Sequence, residues 1–253
     1  MADRDDLLRE VRALARRAGE VILDYYEGGA KVRQKADASP VTEADEAAEV
    51  LIVEGLRRLT PDIPIVAEEL VAGGRTPAVD QGPFWLVDPL DGTKEFISRN
   101  GEFTVNIALI EGEQPALGVV LAPAIGRMWW GIVGEGAFTD ADGGTKRISA
   151  RSRPATGAVA VASRSHADAE TEAFLDREGV AERLSSGSSI KFCLLAEGRA
   201  DVYPRFGPTM EWDTAAGHAV LLAAGGHVTT SDGAPCLYRK PGFRNPAFIA
   251  RGG

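Results

Sequence analysis

Hydrophobic side chains recur at three- and four-residue steps along the first part of the chain, which is the period of an amphipathic helix. A glycine pair, Gly28-Gly29, follows the last of these positions and marks the helix end. The apolar face consists of Leu7, Leu8, Val11, Leu14, Ala15, Ala18, Val21, Ile22 and Tyr25. The pattern therefore predicts a long first helix.

A second helix is predicted from about residue 43 to 59, where Ala48, Leu51 and Ile52 continue the helical period. Thr42 stands where an N-cap residue is expected, and Asp45 follows three residues later. This spacing is typical of a capping box, in which the two side chains each bond the other's backbone N–H.

Short runs rich in β-branched and aromatic residues then take over, separated by Gly, Pro and Asn. They are IPIVA (63–67), FWLVD (84–88), FTVNIALI (103–110), LGVVLA (117–122) and RMWWGIV (127–133). These runs predict a largely antiparallel sheet, so that residues 1–150 form an α+β half.

From about residue 151 the pattern alternates between strands and helices. Its segments are GAVAVAS, a helix near 168–177, SSIKFCLLAEG, ADVYPR, the Ala-rich WDTAAGHAVLLAAGG and the strand HVTT. Residues 151–253 are therefore expected to form an α/β half that packs against the first, with the active site between them.

Charge and composition narrow the classes of function. The chain has 253 residues, with 28 basic and 37 acidic side chains and a net charge of −9. Such a chain lacks the basic field that nucleic-acid binding requires. The charged N-terminus lacks the apolar core of a signal peptide, no run approaches a membrane span, and two cysteines make no disulfide framework. We therefore expect a soluble cytoplasmic protein for which nucleic acid is an unlikely partner.

Acidic residues stand at the ends of several predicted elements, where α/β proteins place their sites. Asp88 and Asp91 flank a proline after one strand, Glu68-Glu69 follow another, and Asp213 begins a helix. Converging carboxylates need a cation, and an all-oxygen ligand set suits Mg²⁺, Mn²⁺ or Ca²⁺ better than Zn²⁺. Each acid alone has a simpler explanation: a turn for the Asp88 segment, a solvated pair for Glu68-Glu69, and an N-cap for Asp213.

The net charge of such a site indicates which kind of molecule it would bind. Four ligating carboxylates carry roughly −4, and two or three Mg²⁺ ions bring about +4 to +6. The filled site would then be neutral to positive and could bind a phosphate ester. Gly92 and Thr93, at the start of a turn or helix, would offer backbone N–H groups to the phosphate oxygens.

Three blocks in this order resemble the inositol monophosphatase superfamily of Mg²⁺-dependent, lithium-sensitive phosphatases: AEE (67–69), DPLDGT (88–93) and WDTAAG (212–217). The flanking segments KEFISRNGEFTVNIALI, SSIKFCLLAEG and DVYPRFGP are similar to its CysQ branch, the 3′(2′),5′-bisphosphate nucleotidases. The similarity extends from the first helix to GFRNPAF near the C-terminus. It implies a layered αβαβα sandwich.

The resemblance also implies roles for particular residues. Metal ligands would be Glu68, Asp88, the Leu90 main-chain carbonyl, Asp91 and Asp213. Thr93, oriented by Asp45, would work with Glu68 to take a proton from the attacking water. The capping box is the alternative explanation of Asp45.

Substrate contacts are implied in the same way, at Gly92, Thr93, His166, Gly187, Ser188, Lys191, Arg205 and Asp213. Three of them have structural alternatives: His166 as a helix cap, Lys191 as a solvated helix residue and Arg205 as a surface cation. A bisphosphate has a second phosphate beyond the metals, and a Lys or Arg is needed to meet it. His218 and His227 are interpreted as structural.

The function expected from the resemblance is hydrolysis of adenosine 3′,5′-bisphosphate to AMP and phosphate, linked to sulfur assimilation, with two or three Mg²⁺ ions that Mn²⁺ can replace. One alternative is an inositol-1-phosphate or sugar monophosphatase on the same scaffold. Another is a non-catalytic nucleotide-binding sensor, which the intact ligand set disfavours. The oligomeric state, monomer or homodimer, stays open, as does the peripheral inner-membrane association that the resemblance allows.

Overall fold

The helices of the protein include both of the long amphipathic segments predicted from the sequence. The computed structural model describes residues 4–34, 40–141, 143–162 and 169–253. Its helices are α1 (Arg4–Gly28), α2 (Glu43–Leu59), α3 (Glu68–Ala72), α4 (Thr93–Ile97), α5 (Ala169–Arg177), α6 (Ile190–Ala196) and α7 (Glu211–Ala223). Helix α2 begins with the predicted capping box, formed by Thr42 and Asp45.

The strands form two large sheets and one short ribbon. They are β1 (Val32–Gln34), β2 (Pro40–Thr42), β3 (Ile65–Ala67), β4 (Phe84–Asp91), β5 (Thr104–Glu111), β6 (Gln114–Ala122), β7 (Arg127–Ile132), β8 (Gly136–Ala141), β9 (Gly144–Ile148), β10 (Ala158–Ala162), β11 (Val180–Ser185), β12 (Val202–Arg205), β13 (His227–Thr230) and β14 (Phe248–Arg251). The ribbon pairs β1 with β2. The larger sheet has the order β3-β4-β5-β6-β7-β8-β9, and the smaller one β11-β10-β12-β14-β13.

Strand pairing in the larger sheet is antiparallel except between β3 and β4, which run parallel. The prediction of a largely antiparallel sheet is therefore confirmed. In the smaller sheet β10 pairs in parallel with β11 and β12, whereas β14 is antiparallel to β12 and β13. The parallel pairs arise where a helix connects the strands, as a crossover requires.

The two faces of the larger sheet belong to different cores, because side chains alternate along each strand. In β4, Trp85 and Val87 face α1 and α2, where they join a core with residues such as Ile22 and Ile52. Phe84 and Leu86 point the other way. Since both faces are covered, the strands are apolar nearly throughout, which is why the sequence showed continuous runs and no clean alternation.

Helices α6 and α7 lie between the two sheets and share one core with both, through residues such as Phe192 and Ala216. On the far side of the smaller sheet, Phe174 and Leu175 of α5 pack against Ala160 and Val202. The order of layers is therefore α1/α2, larger sheet, α6/α7, smaller sheet, α5. This is the predicted αβαβα sandwich.

The Ala-rich composition of α7 reflects how closely it approaches the larger sheet. A Cβ added at Gly118 in β6 would lie 2.5 Å from the carbonyl oxygen of Ala216 and 2.6 Å from the Cβ of Ala219. Only small residues fit at this contact. The close packing fixes the position of α7 relative to β4 and β5, and therefore the place where Asp213 enters the site.

Several strands carry too little apolar patterning to be predicted. Ribbon strand β1 is exposed at every position, and β9 is exposed at four of its five. Strands β2, β8 and β11 were also not predicted. All strands of the larger sheet precede residue 150 and all those of the smaller sheet follow it, while the division into two domains stays a prediction. No helix among the described residues is long and apolar enough to cross a membrane.

Candidate active site

One cavity of about 120 Å³ is lined by residues from both halves of the chain. The predicted site residues in its wall are Asp91, Gly92, Ser188, Lys191, Arg205 and Asp213. The cavity therefore brings together two acids, Asp91 of the DPLDGT segment and Asp213 of the WDTAAG segment, with two cations, Lys191 and Arg205. Glu95, Ser189, Phe192, Tyr203, Thr209 and Thr214 complete the wall.

Asp91 joins the two halves at the cavity. Its Oδ2 accepts hydrogen bonds from the Ser188 hydroxyl at 2.5 Å and from the Ser189 backbone N–H at 2.7 Å. Ser188 adopts a left-handed backbone conformation, with φ of 55°, which is unusual for a residue other than glycine. Asp91, a predicted metal ligand, is thus in direct contact with Ser188, a predicted substrate contact.

Asp213 lies on the first turn of α7, but it is not the N-cap. It is the third residue of the helix, and its Oδ2 accepts the backbone N–H of Met210 at 2.8 Å. Burial raises the pKa of Asp213 well above its ordinary value, and the negative charges of Asp91 and Glu68 raise it further. The N-cap explanation of Asp213 is wrong, because the carboxylate bonds the N-cap residue and does not occupy its position.

Asp45 carries out the capping and the site contact at once. Its Oδ2 accepts the backbone N–H of Thr42 at 2.8 Å and the Thr42 hydroxyl at 2.6 Å. Its Oδ1 accepts the hydroxyl of Thr93 at 3.3 Å. The capping box and the pairing with Thr93 were predicted as alternatives, but the two oxygens of one carboxylate satisfy both.

The turn between Asp88 and Thr93 is closed by bonds within the DPLDGT segment. Asp88 is 2% exposed, and its Oδ1 accepts the backbone N–H of Leu90 at 3.0 Å. The Leu90 carbonyl in turn lies 3.4 Å from the Thr93 hydroxyl. Gly92 has a φ of 95° and caps α4, which begins at Thr93. The predicted start of a helix at Gly92-Thr93 is confirmed.

Glu68 is the first residue of α3, directly after β3, and both Glu68 and Glu69 are partly buried. The solvated-pair explanation is therefore wrong. Behind them lies Glu49 of α2, which the sequence analysis missed. It is 4% exposed and accepts the Glu69 backbone N–H at 2.6 Å. Burial raises the pKa of Glu49 to about 7, against the effect of that hydrogen bond.

Lys191 is buried on α6, so the solvated-helix explanation is wrong. Its ammonium donates to the main-chain carbonyls of Ser188 at 2.6 Å and Ser186 at 3.4 Å. Burial lowers the pKa of Lys191 to about 8, and the nearby carboxylate of Asp91 opposes that shift. Lys191 thus supports the loop that contacts Asp91 while also lining the cavity.

Arg205 lies at the end of β12 and is partly buried, so it is not a surface cation. One terminal nitrogen donates to the carbonyl of Pro208 at 3.3 Å, while its buried Nε has no hydrogen-bond partner among the described residues. Gly187 donates its N–H to Glu102 at 2.9 Å, and a Cβ there would lie 2.8 Å from the Glu102 carbonyl oxygen. His166 lies outside the described residues.

Two polar residues that the sequence analysis did not single out connect the loop to the larger sheet. Thr104 and Asn106 are 0% and 1% exposed, and both bond the hydroxyl of Ser189, at 2.8 and 2.7 Å. A signal was available, because these are the only polar positions of the apolar run FTVNIALI and they alternate, so both face one side of β5.

Three of the predicted metal ligands lie close enough for their charges to interact, since Asp91 and Glu68 both raise the pKa of Asp213. Within the described ranges, no three His, Cys, Asp or Glu side chains stand close enough together to form a metal-binding group. Two of the predicted ligands are hydrogen-bonded to the protein, Asp91 to Ser188 and Ser189 and Asp213 to Met210. Their role as ligands stays a prediction.

Comparison with known proteins identifies the family of this chain. The model of the inositol monophosphatase family matches residues 3–250. The chain belongs to the inositol monophosphatase family. The resemblance inferred from the AEE, DPLDGT and WDTAAG blocks is thereby confirmed.

Individual members of the family are similar over nearly the whole chain. The 3′(2′),5′-bisphosphate nucleotidase CysQ of Escherichia coli strain K12 is 52% identical over 246 residues, which cover 96% of this chain and 98% of that one. A crystal structure of CysQ from Bacteroides thetaiotaomicron is 40% identical, with a TM-score of 0.82 and coverage of 98% and 97%. An inositol monophosphatase structure from Thermotoga maritima is 29% identical, with a TM-score of 0.79 and coverage of 98% and 92%.

Proposed function

We propose that this chain is a Mg²⁺-dependent 3′(2′),5′-bisphosphate nucleotidase that hydrolyses adenosine 3′,5′-bisphosphate to AMP and phosphate. The observation that carries the proposal is the 52% identity to CysQ of Escherichia coli over 96% of the chain. The cavity with both acids and cations supports it. A role in sulfur assimilation and a cytoplasmic location are part of the same proposal.

The donor set fits a hard divalent cation. The carboxylates of Glu68, Asp88, Asp91 and Asp213 and the Leu90 carbonyl all offer oxygen, which Mg²⁺ and Mn²⁺ prefer. The charges of Glu68 and Asp91 already act on the buried Asp213, and a cation would relieve that repulsion. When bound, such ions act as Lewis acids on a phosphoryl group and lower the pKa of water.

The proposed chemistry assigns the proton transfer to Glu68 and Thr93. Because the Thr93 hydroxyl donates to Asp45 at 3.3 Å, its oxygen keeps lone pairs that can accept a hydrogen bond from the attacking water. Asp45 therefore orients Thr93, and Glu68 accepts the proton that the water loses. The backbone N–H groups at Gly92 and Thr93, at the start of α4, would bind the phosphate oxygens.

The part of the substrate beyond the reacting phosphate would be met by cations on the opposite side of the cavity. Arg205 and Lys191 both line it, and a guanidinium binds phosphate with paired hydrogen bonds. Lys191 already uses two of its three N–H groups on carbonyls of the loop. Arg205 is therefore proposed as the principal contact for the second phosphate.

The experiment is phosphate release from adenosine 3′,5′-bisphosphate and from inositol-1-phosphate, side by side, with Mg²⁺, with EDTA and with added Li⁺. The proposal expects release from the nucleotide that needs Mg²⁺, stops with EDTA and falls with Li⁺. Release that persists in EDTA would contradict the metal requirement.

A second candidate, an inositol or sugar monophosphatase, rests on the fold match with the Thermotoga maritima protein at a TM-score of 0.79. In the same assay, release mainly from inositol-1-phosphate would favour it and would overturn the roles given to Lys191 and Arg205. Tight nucleotide binding without turnover would instead favour a nucleotide-binding sensor.

A further inference from the structure

Helix α3, which begins with the predicted metal ligand Glu68, receives its cap from another helix. The residue at its N-cap position is Ala67, which has no side-chain hydrogen bond to offer. The first backbone N–H groups of a helix have no partner within it and are usually met by a side chain next to them in the sequence. Here a carboxylate oxygen of Glu49 in α2 accepts one of them, the backbone N–H of Glu69, at 2.6 Å.

Glu49 is well suited to hold this turn in place. The carboxylate is 4% exposed, and burial raises its pKa against the effect of the backbone N–H groups of Glu69 and Leu70, which lower it. It belongs to α2, which packs against β3 and β4 through a shared core. A buried carboxylate on a rigid helix therefore fixes the backbone on the C-terminal side of Glu68.

The other end of the proposed proton-transfer pair is fixed by the same helix. Asp45 lies four residues before Glu49, so the two carboxylates project from one face of α2. Asp45 bonds Thr93 at 3.3 Å, whereas Glu49 bonds the residue next to Glu68. Helix α2 thereby sets the spacing between the turns that carry Glu68 and Thr93.

We propose that Glu49 is a positioning residue that places Glu68 for metal binding, an inference that rests on the proposed function. It acts through its hydrogen bond to the backbone of α3 and not through its charge. Loss of this bond would let the turn after β3 move and would weaken metal binding, as is usual when a group that orients a metal ligand is removed.

Three substitutions separate the hydrogen bond from the charge. Glu49→Ala removes both, Glu49→Gln keeps the length and an acceptor oxygen, and Glu49→Asp keeps the charge but shortens the side chain. The readout is Mg²⁺ affinity by isothermal titration calorimetry without substrate, together with KM for adenosine 3′,5′-bisphosphate at saturating Mg²⁺.

The inference expects Glu49→Ala to bind Mg²⁺ roughly 10-fold to 100-fold more weakly, with an unchanged KM. Glu49→Gln should recover most of the affinity, and Glu49→Asp should not. Glu197→Gln is the matched control, because Glu197 is also a buried carboxylate, bonded by Trp129 at 2.7 Å, and lies outside the cavity wall. It should bind Mg²⁺ like the wild type.

The outcomes that overturn the inference are distinct from those that overturn the function. The positioning role would be contradicted if Glu49→Ala bound Mg²⁺ as tightly as the wild type. It would also be contradicted if Glu49→Asp kept the Mg²⁺ affinity and Glu49→Gln did not. If Glu49→Ala does not fold, the comparison of Gln with Asp still decides. A wild-type protein that binds no Mg²⁺ would overturn the proposed function, and the inference with it.

Discussion

Two predicted site residues of the first half and three of the second half are held in place over very different sequence distances. In the first half, Thr93 bonds Asp45, 48 residues away, and Asp91 bonds Ser188, 97 residues away. In the second half, Asp213 bonds Met210, Lys191 bonds Ser188 and Arg205 bonds Pro208, each only three residues away.

This contrast separates two ways of building a site. Thr93 and Asp91 reach their places only when α2, the larger sheet and the Ser188 loop have packed together. Asp213, Lys191 and Arg205 are bonded within the turns in which they occur. Substitutions of Thr93 and Asp91 should therefore disturb the arrangement of the reacting groups, whereas substitution of Arg205 should change a local contact with the substrate.

The largest effect is expected from Asp91→Asn. The amide offers one acceptor oxygen where the carboxylate offers two, and it removes the charge of a proposed metal ligand. We expect kcat to fall by at least roughly 100-fold, measured by phosphate release from adenosine 3′,5′-bisphosphate, while the circular dichroism spectrum stays that of a folded protein.

The control for Asp91→Asn is Asp201→Asn, at a buried aspartate that accepts the Val159 N–H at 2.6 Å and lies outside the cavity wall. It should lower the unfolding temperature and leave kcat unchanged. Near-normal turnover in Asp91→Asn would contradict the proposal that Asp91 is a metal ligand needed for the reaction.

Thr93→Val tests the other long-range contact of the first half. Valine keeps the shape and loses the hydroxyl that Asp45 orients. We therefore expect kcat to fall about 10-fold to 100-fold, at or below the low end of a general acid–base contribution because Glu68 still accepts the proton. Thr93→Ser restores the hydroxyl and should recover most of the rate. If Thr93→Val and Thr93→Ser had equal rates, the hydroxyl would have no part in the reaction.

Arg205→Ala probes the second half, where a local contact with Pro208 is lost and the first-half residues stay in place. Losing a charged hydrogen-bond donor to phosphate costs about 1.5–3 kcal/mol, so KM for adenosine 3′,5′-bisphosphate should rise about 10-fold or more. KM for inositol-1-phosphate should not change. A parallel rise for both substrates would show that Arg205 does not discriminate between them.

The smallest effect concerns stability and pH. Burial lowers the pKa of His218 on α7 to about 3. The unfolded chain therefore binds this proton between about pH 6.5 and 3 while the folded chain does not, so stability is full above pH 6.5 and falls as the pH drops. The expected slope is about 1 kcal/mol per pH unit near pH 5.5.

His218→Asn supplies the comparison, since the amide can still bond Tyr238, whose hydroxyl lies 3.0 Å from Nδ1. Urea unfolding at pH 7.5 and 5.5 should show a smaller loss of stability in the variant than in the wild type. The same loss in both proteins would mean that His218 titrates normally in the folded state.

The same difference in sequence distance explains what could be predicted from the sequence. The capping box of Thr42 and Asp45 spans three residues, and its spacing was visible in the chain. The hydrogen bond from Glu69 to Glu49 spans 20 residues and has no local signature. Helices α1 and α2 were predicted because a helical period repeats over many residues, and β1 and β9 were missed because they bury almost nothing.

Residues of the site were predicted by chemistry and resemblance, but apart from the pair of Asp45 and Thr93 their partners were not. The sequence placed Lys191 against a phosphate, and it gave no sign that the ammonium would bond the Ser186 and Ser188 carbonyls. An N-cap was the structural alternative for Asp213, and it was misplaced by three residues because a helix start is hard to locate from the sequence. These contacts span only three to five residues, but they depend on the backbone conformation around Ser188 and Met210, which the residue pattern does not specify.

The most direct test of the central claim is a crystal structure of the protein with Mg²⁺ and adenosine 3′,5′-bisphosphate, using Thr93→Val if turnover is too fast. The account predicts ions bound by the carboxylates of Glu68, Asp88, Asp91 and Asp213, one phosphate beside them, and the other phosphate bonded by Arg205. Ions or a nucleotide bound elsewhere, with no phosphate in the cavity, would contradict it.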